Sequence, residues 1–176
     1  MNDLTPIKPP VFSLPQDELL TLNVKDVPVM KDALGPGIHF KPLLLDPEQG
    51  LAVNLAIFSP GAVVPAHLHT GAVHGYTLQG KWYYEEYPDQ PQTAGSYLYE
   101  PASSVHTFRV PEDNTEDTIV LFVVFGGNIS FDEKGNFHSI LDAITIINLV
   151  KSCSEKQGIK PVRYLRGGSV GYTEAP

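Results

Sequence analysis

The sequence predicts a single all-β domain, a sandwich or barrel of short strands, with one helix near its C-terminal end. The chain has 176 residues, which suits one domain with one core. Its composition, 42% hydrophobic and 18% charged, is typical of a packed interior rather than a disordered chain. The 15 glycines and 16 prolines lie at short intervals, separating brief segments rich in β-branched and aromatic residues.

Eight or nine of these segments fit β-strands, because β-branched and aromatic side chains favour extended backbone. Turn sequences such as Ser59-Pro60-Gly61 and Asp46–Gly50 separate them. The predicted strands are Ile38–Leu45, Leu51–Phe58, Val63–His69, Val73–Gln79, Lys81–Tyr87, Ser96–Tyr99, Val105–Val110, Thr118–Phe125 and Asn128–Phe131. We expect them to form the body of the domain, residues 27–135.

Residues 1–26 are predicted to form an extended N-terminal arm. Four prolines, Pro6, Pro9, Pro10 and Pro15, remove backbone donors and disfavour helix there. The apolar side chains of the arm follow no helical stripe, so we expect them to pack across a subunit surface. These residues are Val11, Phe12, Leu14, Leu19 and Leu20. The arm therefore predicts a homodimer or a homotetramer.

After Gly135 the pattern changes to one that favours a helix. Ile140, Ile144 and Ile147 recur at helical spacing, Ser139 and Asp142 resemble a capping box, and Gly158 can end the helix. The polar, glycine-rich tail that follows specifies no element. We expect residues 136–176 to pack as a helix and tail on the same domain.

Charge and composition exclude several classes of partner. The chain has 12 basic and 20 acidic residues, a net charge of −8, and no basic cluster, so nucleic acid is not expected as a partner. Cys153 is the single cysteine, which rules out an intramolecular disulfide. No apolar run reaches about 18 residues and no signal pattern opens the chain, so we expect a soluble, cytoplasmic protein without membrane contact.

Two closely spaced histidines suggest a functional site. His67 and His69 lie two residues apart in a predicted strand, so both imidazoles share one face. Alone, such a pair fits a metal site, a solvated strand end or a hydrogen-bonded core pair.

Two blocks around these histidines resemble the two sequence motifs of the cupins. The matching residues are Gly61, His67, His69 and Gly80 in the first block, and Gly95, Pro101 and His106 in the second. Ser103 stands where the second motif has a glycine, and Val110 where it has an asparagine. The resemblance extends from Gly61 to Val110 and implies a cupin-type jelly-roll β-barrel.

In cupins the paired histidines and the histidine of the second motif hold one metal ion. The resemblance therefore implies His67, His69 and His106 as ligands, with other positions open to water or substrate. The alternative is a barrel that keeps the histidines but binds no metal. The glutamate of the first motif is missing, and its place falls on Val73 or His74. We expect Val73 to face the metal, which leaves His74 on the outer face or in the pocket; otherwise His74 is a fourth ligand.

The position of one carboxylate makes the resemblance more specific than to cupins in general. Glu100 precedes His106 with five residues between them, in the block Gly95–Pro101. This arrangement is similar to the acetylacetone-cleaving and 2,4′-dihydroxyacetophenone dioxygenases, non-haem iron(II) enzymes that use O₂ to break a carbon–carbon bond next to a carbonyl. The resemblance implies iron(II), with Zn(II), Ni(II) or Mn(II) as other candidates, and a ketone or β-diketone substrate.

Glu100 is the predicted catalytic carboxylate. It would hydrogen-bond a ligand histidine or metal-bound water, or accept the substrate proton if burial raises its pKa. The alternative is an ion pair with Arg109. Gly75 and Thr77, small residues in the inward register of Val73, are expected to leave room near the metal. The possible pocket residues are His74, Gly75, Tyr76, Thr77, Tyr84 and Arg109.

Three neutral imidazoles would leave the full positive charge of a divalent ion in the site. Such an ion favours an anionic chelating substrate, for example an enolate with two neighbouring oxygens. Two other functions fit the same three histidines: a non-catalytic metal-binding cupin sensor and a metal-dependent cupin isomerase.

Overall fold

The computed structural model describes residues 20–132, 134–159 and 162–168, and its architecture is mainly β. The strands are β1 (Ile38–Asp46), β2 (Leu51–Phe58), β3 (Val63–His69), β4 (Val73–Gln79), β5 (Lys81–Tyr84), β6 (Gln92–Thr93), β7 (Tyr97–Glu100), β8 (Val105–Arg109), β9 (Thr118–Phe125), β10 (Gly127–Phe131), β11 (Phe137–Asp142) and β12 (Leu165–Arg166). The helix α1 spans Ala143–Gln157.

The strands form two six-stranded sheets. One has the order β12-β1-β2-β9-β4-β7 and the other the order β11-β10-β3-β8-β5-β6. Neighbouring strands are antiparallel except β12, which lies parallel to β1. The predicted all-β jelly roll with a helix near its C-terminal end is confirmed, and four of the strands have the predicted bounds.

Aromatic residues fill one part of the space between the sheets. Trp82 is completely buried, and its ring stacks on Phe108 with centroids 4.5 Å apart. Phe58 lies against the same Phe108 ring, at 4.4 Å. A second apolar cluster joins Phe40 and Leu45 of β1 to the inner face of α1. These two clusters leave the region between them open.

The start of the helix differs from the prediction. Residues 137–142 form β11 rather than the first helical turn, and Ile140 pairs with Ile129 of β10. The capping residue is Asp142, whose carboxylate accepts a hydrogen bond from the Thr145 backbone amide; Ser139 lies within β11. Pairing between two β-branched residues across strands stabilises a sheet, and this contact cannot be read from helical spacing.

The buried face of α1 is also offset from the predicted stripe. Ile144 is 55% exposed, whereas Ala143, Ile146, Val150 and Cys153 are buried. The predicted end is confirmed, because Gly158 ends the helix with a φ of 67°, a left-handed conformation that glycine adopts without strain.

The ends of the chain are described in part. Residues 1–19 of the predicted arm, including its prolines, lie outside the described residues. Val24–Asp26 form one 3₁₀ turn, and the Val24 carbonyl accepts a hydrogen bond from Lys41 Nζ on β1. Within the described residues, no helix has the length and apolar character needed to span a membrane.

Candidate metal centre

Strand pairing brings three histidines together between the sheets. His67 on β3 and His106 on β8 are direct cross-strand partners, and His69 follows two positions along β3 on the same face. All three are buried, with exposed fractions of 6%, 3% and 4% for His67, His106 and His69. Their ring centroids lie 4.8 to 5.0 Å apart. The spacing of the two motifs therefore produces one compact cluster.

The cluster directs ring nitrogens toward a shared point. His69 Nε2 and His106 Nε2 are 3.1 Å apart, and one ligand atom from each of the three histidines lies within 4.8 Å of the others. The 3.1 Å separation suits two nitrogens that share one ion at about 2.0–2.1 Å, whereas atoms 4.8 Å apart would have to move closer together to bind the same ion. His67 Nδ1 lies 2.9 Å from the Pro65 carbonyl, which only accepts hydrogen bonds. His67 Nδ1 therefore donates, which leaves Nε2 available as a ligand.

Burial keeps His67 uncharged at neutral pH. Desolvation lowers the pKa of His67 to about 4, and the neighbouring His69 and His106 also act to lower it. A neutral imidazole is the form that binds a metal.

Glu100 lies beside the histidines, at the end of β7. Its Oε2 is 2.8 Å from His69 Nε2 and 3.3 Å from His106 Nε2. Burial alone would raise the pKa of Glu100, but hydrogen bonds from His106 and His69 outweigh it and hold the pKa well below its usual range. Glu100 is therefore ionised, and burial does not turn it into a stronger base.

Tyr84 completes the polar contacts of Glu100. Its hydroxyl donates a hydrogen bond to Glu100 Oε1, and its ring stacks on His106 with centroids 4.0 Å apart. Burial and the adjacent Glu100 charge raise the pKa of Tyr84 well above its ordinary value, so the hydroxyl keeps its proton. The alternative pairing of Glu100 with Arg109 is wrong, because Arg109 pairs with Glu85 on the outside of the barrel.

The register of β4 places Val73 inward. Val73 is 1% exposed and pairs with Glu100 across β4 and β7. His74 points to the opposite face, where its Nδ1 lies 2.7 Å from the Tyr97 hydroxyl and its ring lies 5.4 Å from Tyr99. Among the described residues, the group that could hold a metal contains only His67, His69 and His106.

Several predicted pocket residues lie elsewhere. Tyr76 is 44% exposed on the outer face, beside His74. Gly75 and Thr77 are buried, but the space beside them is filled. A Cβ on Gly75 would lie 3.1 Å from the Phe122 ring, and Thr77 Oγ1 accepts a hydrogen bond from Trp82 Nε1. Of the six predicted pocket residues, only Tyr84 lines the cavity at the histidines.

That cavity has a volume of about 890 Å³. It extends from His67, His69 and Glu100 between the sheets to Ile146 and Leu149 of α1. Its walls are mainly apolar, which is typical of small-molecule sites. Sequence reasoning missed Ala52, Asn54, Ala56 and Asn128 in this lining. Ala52, Asn54 and Ala56 alternate along β2, and this pattern in the sequence could have identified them as cavity-lining residues.

The donor set suits a divalent transition-metal ion. It offers imidazole nitrogens and, next to them, one carboxylate, ligand types that bind iron, zinc, nickel or manganese. Glu100 supplies a negative charge that balances part of the ion's charge in this buried place. His67, His69 and His106 are therefore the residues that would hold the ion.

Comparisons with known proteins agree with this fold. The model of the ChrR cupin-like domain matches residues 20–128, more than half of the chain. A solved protein of unknown function with a cupin-like fold, from Ralstonia eutropha JMP134, is 40% identical, with a TM-score of 0.83 over 92% of this chain and 100% of its own. An RmlC-like cupin protein from the same organism is 31% identical, with a TM-score of 0.75 over 82% of this chain and 92% of its own.

A more distant structure shares the fold. The acetylacetone dioxygenase of Acinetobacter johnsonii is 13% identical, with a TM-score of 0.64 over 84% of this chain and 99% of its own. A search of curated proteins finds no match. The predicted cupin resemblance is confirmed, and the chain belongs to the ChrR cupin-like domain family.

Proposed function

We propose that this protein is a non-haem iron(II) dioxygenase that uses O₂ to cleave a carbon–carbon bond next to a carbonyl. Its substrate would be a β-diketone or a hydroxyacetophenone. One observation carries the proposal: three buried histidines and an ionised carboxylate lie at one side of a cavity of about 890 Å³ with mainly apolar walls. A cavity of this size accommodates a small organic molecule beside the histidines.

The charges at the site favour an anionic chelating substrate. His67, His69 and His106 would hold the ion as neutral ligands, and the single negative charge of Glu100 beside them would leave one positive charge of a divalent ion unbalanced. An enolate with two neighbouring oxygens has the complementary charge. When bound, iron(II) would supply Lewis acidity and electrons for the reduction of O₂.

The protein side chains bind and orient the substrate. Val73 and Phe122 line the cavity and can pack against the apolar part of the substrate. This packing excludes water from the end of the substrate that reacts. The Tyr84 hydroxyl donates a hydrogen bond to Glu100, and the Tyr84 ring packs on His106. The Tyr84 ring supports the ligand His106, and Glu100 places a negative charge beside the Nε2 atoms of His69 and His106. This arrangement holds the site rigid before the substrate binds.

The fold shared with the acetylacetone dioxygenase supports a cupin barrel as the scaffold for this reaction, but it does not support a particular substrate. The second candidate is a metal-binding sensor without catalysis, favoured by the match to the ChrR cupin-like domain. In that case the same histidines would bind a metal, and the cavity would bind a signal molecule rather than a substrate that reacts.

Oxygen uptake after anaerobic purification separates the two candidates. The protein would be loaded with iron(II) and tested with a panel of β-diketones and hydroxyacetophenones. We expect uptake of O₂ with at least one of them, abolished by His69→Ala and retained by His74→Ala, which removes a histidine from the outer face of the opposite sheet. Metal binding without uptake on the whole panel would contradict the dioxygenase proposal and favour the sensor.

A further inference from the structure

Three polar residues lie in one row that runs from β10 across β3 to the residue just before β8. His69 on β3 pairs with Asn128 of β10 on one side. On the other side its backbone amide donates to the Ser104 carbonyl, just before β8 begins. Asn128 and His69 both line the cavity, so their side chains share the inner face of the sheet. Directly paired residues on one face have Cβ atoms only about 4.5–5.5 Å apart.

Each member of this row has a buried polar atom without a hydrogen-bond partner. These atoms are His69 Nδ1, Asn128 Oδ1 and Ser104 Oγ. All three atoms are almost completely buried. Leaving such groups unpaired costs free energy. Three unpaired atoms in one row, one of them on a metal-site histidine, therefore point to a hydrogen bond within the row.

The other paired histidine shows what His69 lacks. His67 Nδ1 donates to the Pro65 carbonyl, and this bond fixes the ring with Nε2 toward the cluster. A metal-binding histidine usually donates its second ring nitrogen to a carbonyl, a carboxylate or water. His69 has its Nε2 at the cluster and no partner for Nδ1.

We propose that Asn128 is a positioning residue for His69: its side-chain oxygen accepts a hydrogen bond from Nδ1–H when Nε2 binds the metal. This inference rests on the metal site of the proposed function. An amide suits the place because its oxygen can accept from Nδ1–H and its NH₂ can instead turn toward an Nδ1 that carries no proton.

Zinc affinity of matched variants tests the proposal. Asn128→Leu keeps the approximate size of the side chain and removes the acceptor, whereas Asn128→Asp keeps an acceptor. We expect Asn128→Leu to weaken zinc binding by about 10- to 100-fold in competition with a chelator. Asn128→Asp should restore most of the affinity. Ser130→Ala is the control, because Ser130 pairs with His67, whose Nδ1 already has a partner.

NMR of the histidine side chains in the zinc-loaded protein detects the proposed hydrogen bond directly. A general loss of packing would not remove this one signal selectively. We expect a hydrogen-bonded His69 Nδ1–H resonance in the wild type and in Asn128→Asp, and its loss in Asn128→Leu. If Asn128→Leu fails to fold, Asn128→Ala replaces it in both measurements. Circular dichroism of the metal-free variants checks the fold.

Two results would overturn the role of Asn128 while leaving the metal site intact. One is wild-type zinc affinity and an unchanged His69 resonance in Asn128→Leu. The other is loss of the resonance in Ser104→Ala with its retention in Asn128→Leu, which would assign the acceptor to Ser104. A wild-type protein that binds no zinc, iron, nickel or manganese would instead overturn the metal site, and the role of Asn128 with it. Metal binding with no oxygen uptake by the iron(II)-loaded protein on the whole substrate panel would contradict the dioxygenase alone.

Discussion

His67 and His106 face each other as direct partners across β3 and β8, so two histidines that lie far apart in sequence meet through a single backbone register. His69 joins them because side chains two positions apart share one face of a strand. A one-residue slip between β3 and β8 would turn histidines away from the cavity. The geometry of the cluster therefore depends on the pairing of these two strands.

Removing any one of the three histidines should abolish stoichiometric metal binding. Each of His67→Ala, His69→Ala and His106→Ala removes one of three protein ligands, and with it a large share of the affinity. Metal analysis after dialysis measures this. His74→Ala is the matched control and should retain the metal, since His74 contacts Tyr97 on the outer face. Full metal content in any of the three variants would refute the assignment of that residue.

Glu100→Gln should lower turnover while the protein keeps its metal. The substitution preserves the size of the side chain but removes the negative charge next to His69 and His106. Contacts of this kind, just outside the metal ligands, are worth about 10- to 100-fold in activity. Steady-state oxygen uptake and metal content would be measured on the same preparation. Unchanged turnover would mean that the charge of Glu100 has no part in the reaction.

Filling the cavity should weaken substrate binding without loss of metal. Ala56 lines the cavity from β2, on the sheet opposite the histidines. Ala56→Leu adds three carbons there, and we expect KM to rise by about tenfold or more. The metal content should stay at the wild-type level. If KM for the best substrate does not change, the substrate does not occupy this part of the cavity.

The helix cap can be tested independently of any activity. Asp142→Ala removes the side chain that accepts from the Thr145 amide, and we expect the free energy of unfolding to fall by about 1 kcal/mol. For a domain of this size, that corresponds to a fall in Tm of about 2–4 °C. Ser139→Ala, at the capping position predicted from the sequence, should leave Tm nearly unchanged. Equal effects of the two substitutions would contradict the observed cap.

Self-association is expected from the N-terminal arm. Removal of residues 1–26 should weaken a homodimer or homotetramer, as measured by light scattering on the full chain and on a chain that starts at Val27. Large apolar residues exposed on β4, β7 and β9 offer a surface for a second copy. These residues are Tyr76, Leu78, Tyr97, Tyr99 and Phe125, each at least 42% exposed. A monomeric full-length chain would refute the expectation, and an unchanged oligomer after truncation would show that the arm is not required.

The sequence was sufficient for features that depend on strand periodicity. The inward position of Val73 followed from counting along a short hairpin, and the histidine cluster followed from motif spacing. Features that depend on distant contacts were missed. Ile140 fits a helical stripe, yet its pairing with Ile129 places it in a strand. Gly75 faces inward as expected, but the Phe122 ring from β9 occupies the space beside it.

Two parts of the chain form the wall of the cavity, because Ile146 and Leu149 of α1 line it together with residues of the strands. The family match ends at residue 128, and it contains all three histidines and Glu100. The helix that supplies Ile146 and Leu149 to the wall comes afterwards, at Ala143–Gln157. Part of the cavity wall is thus encoded separately from the metal ligands. Substitutions in the helix can change the shape of the cavity while the three histidines stay the same.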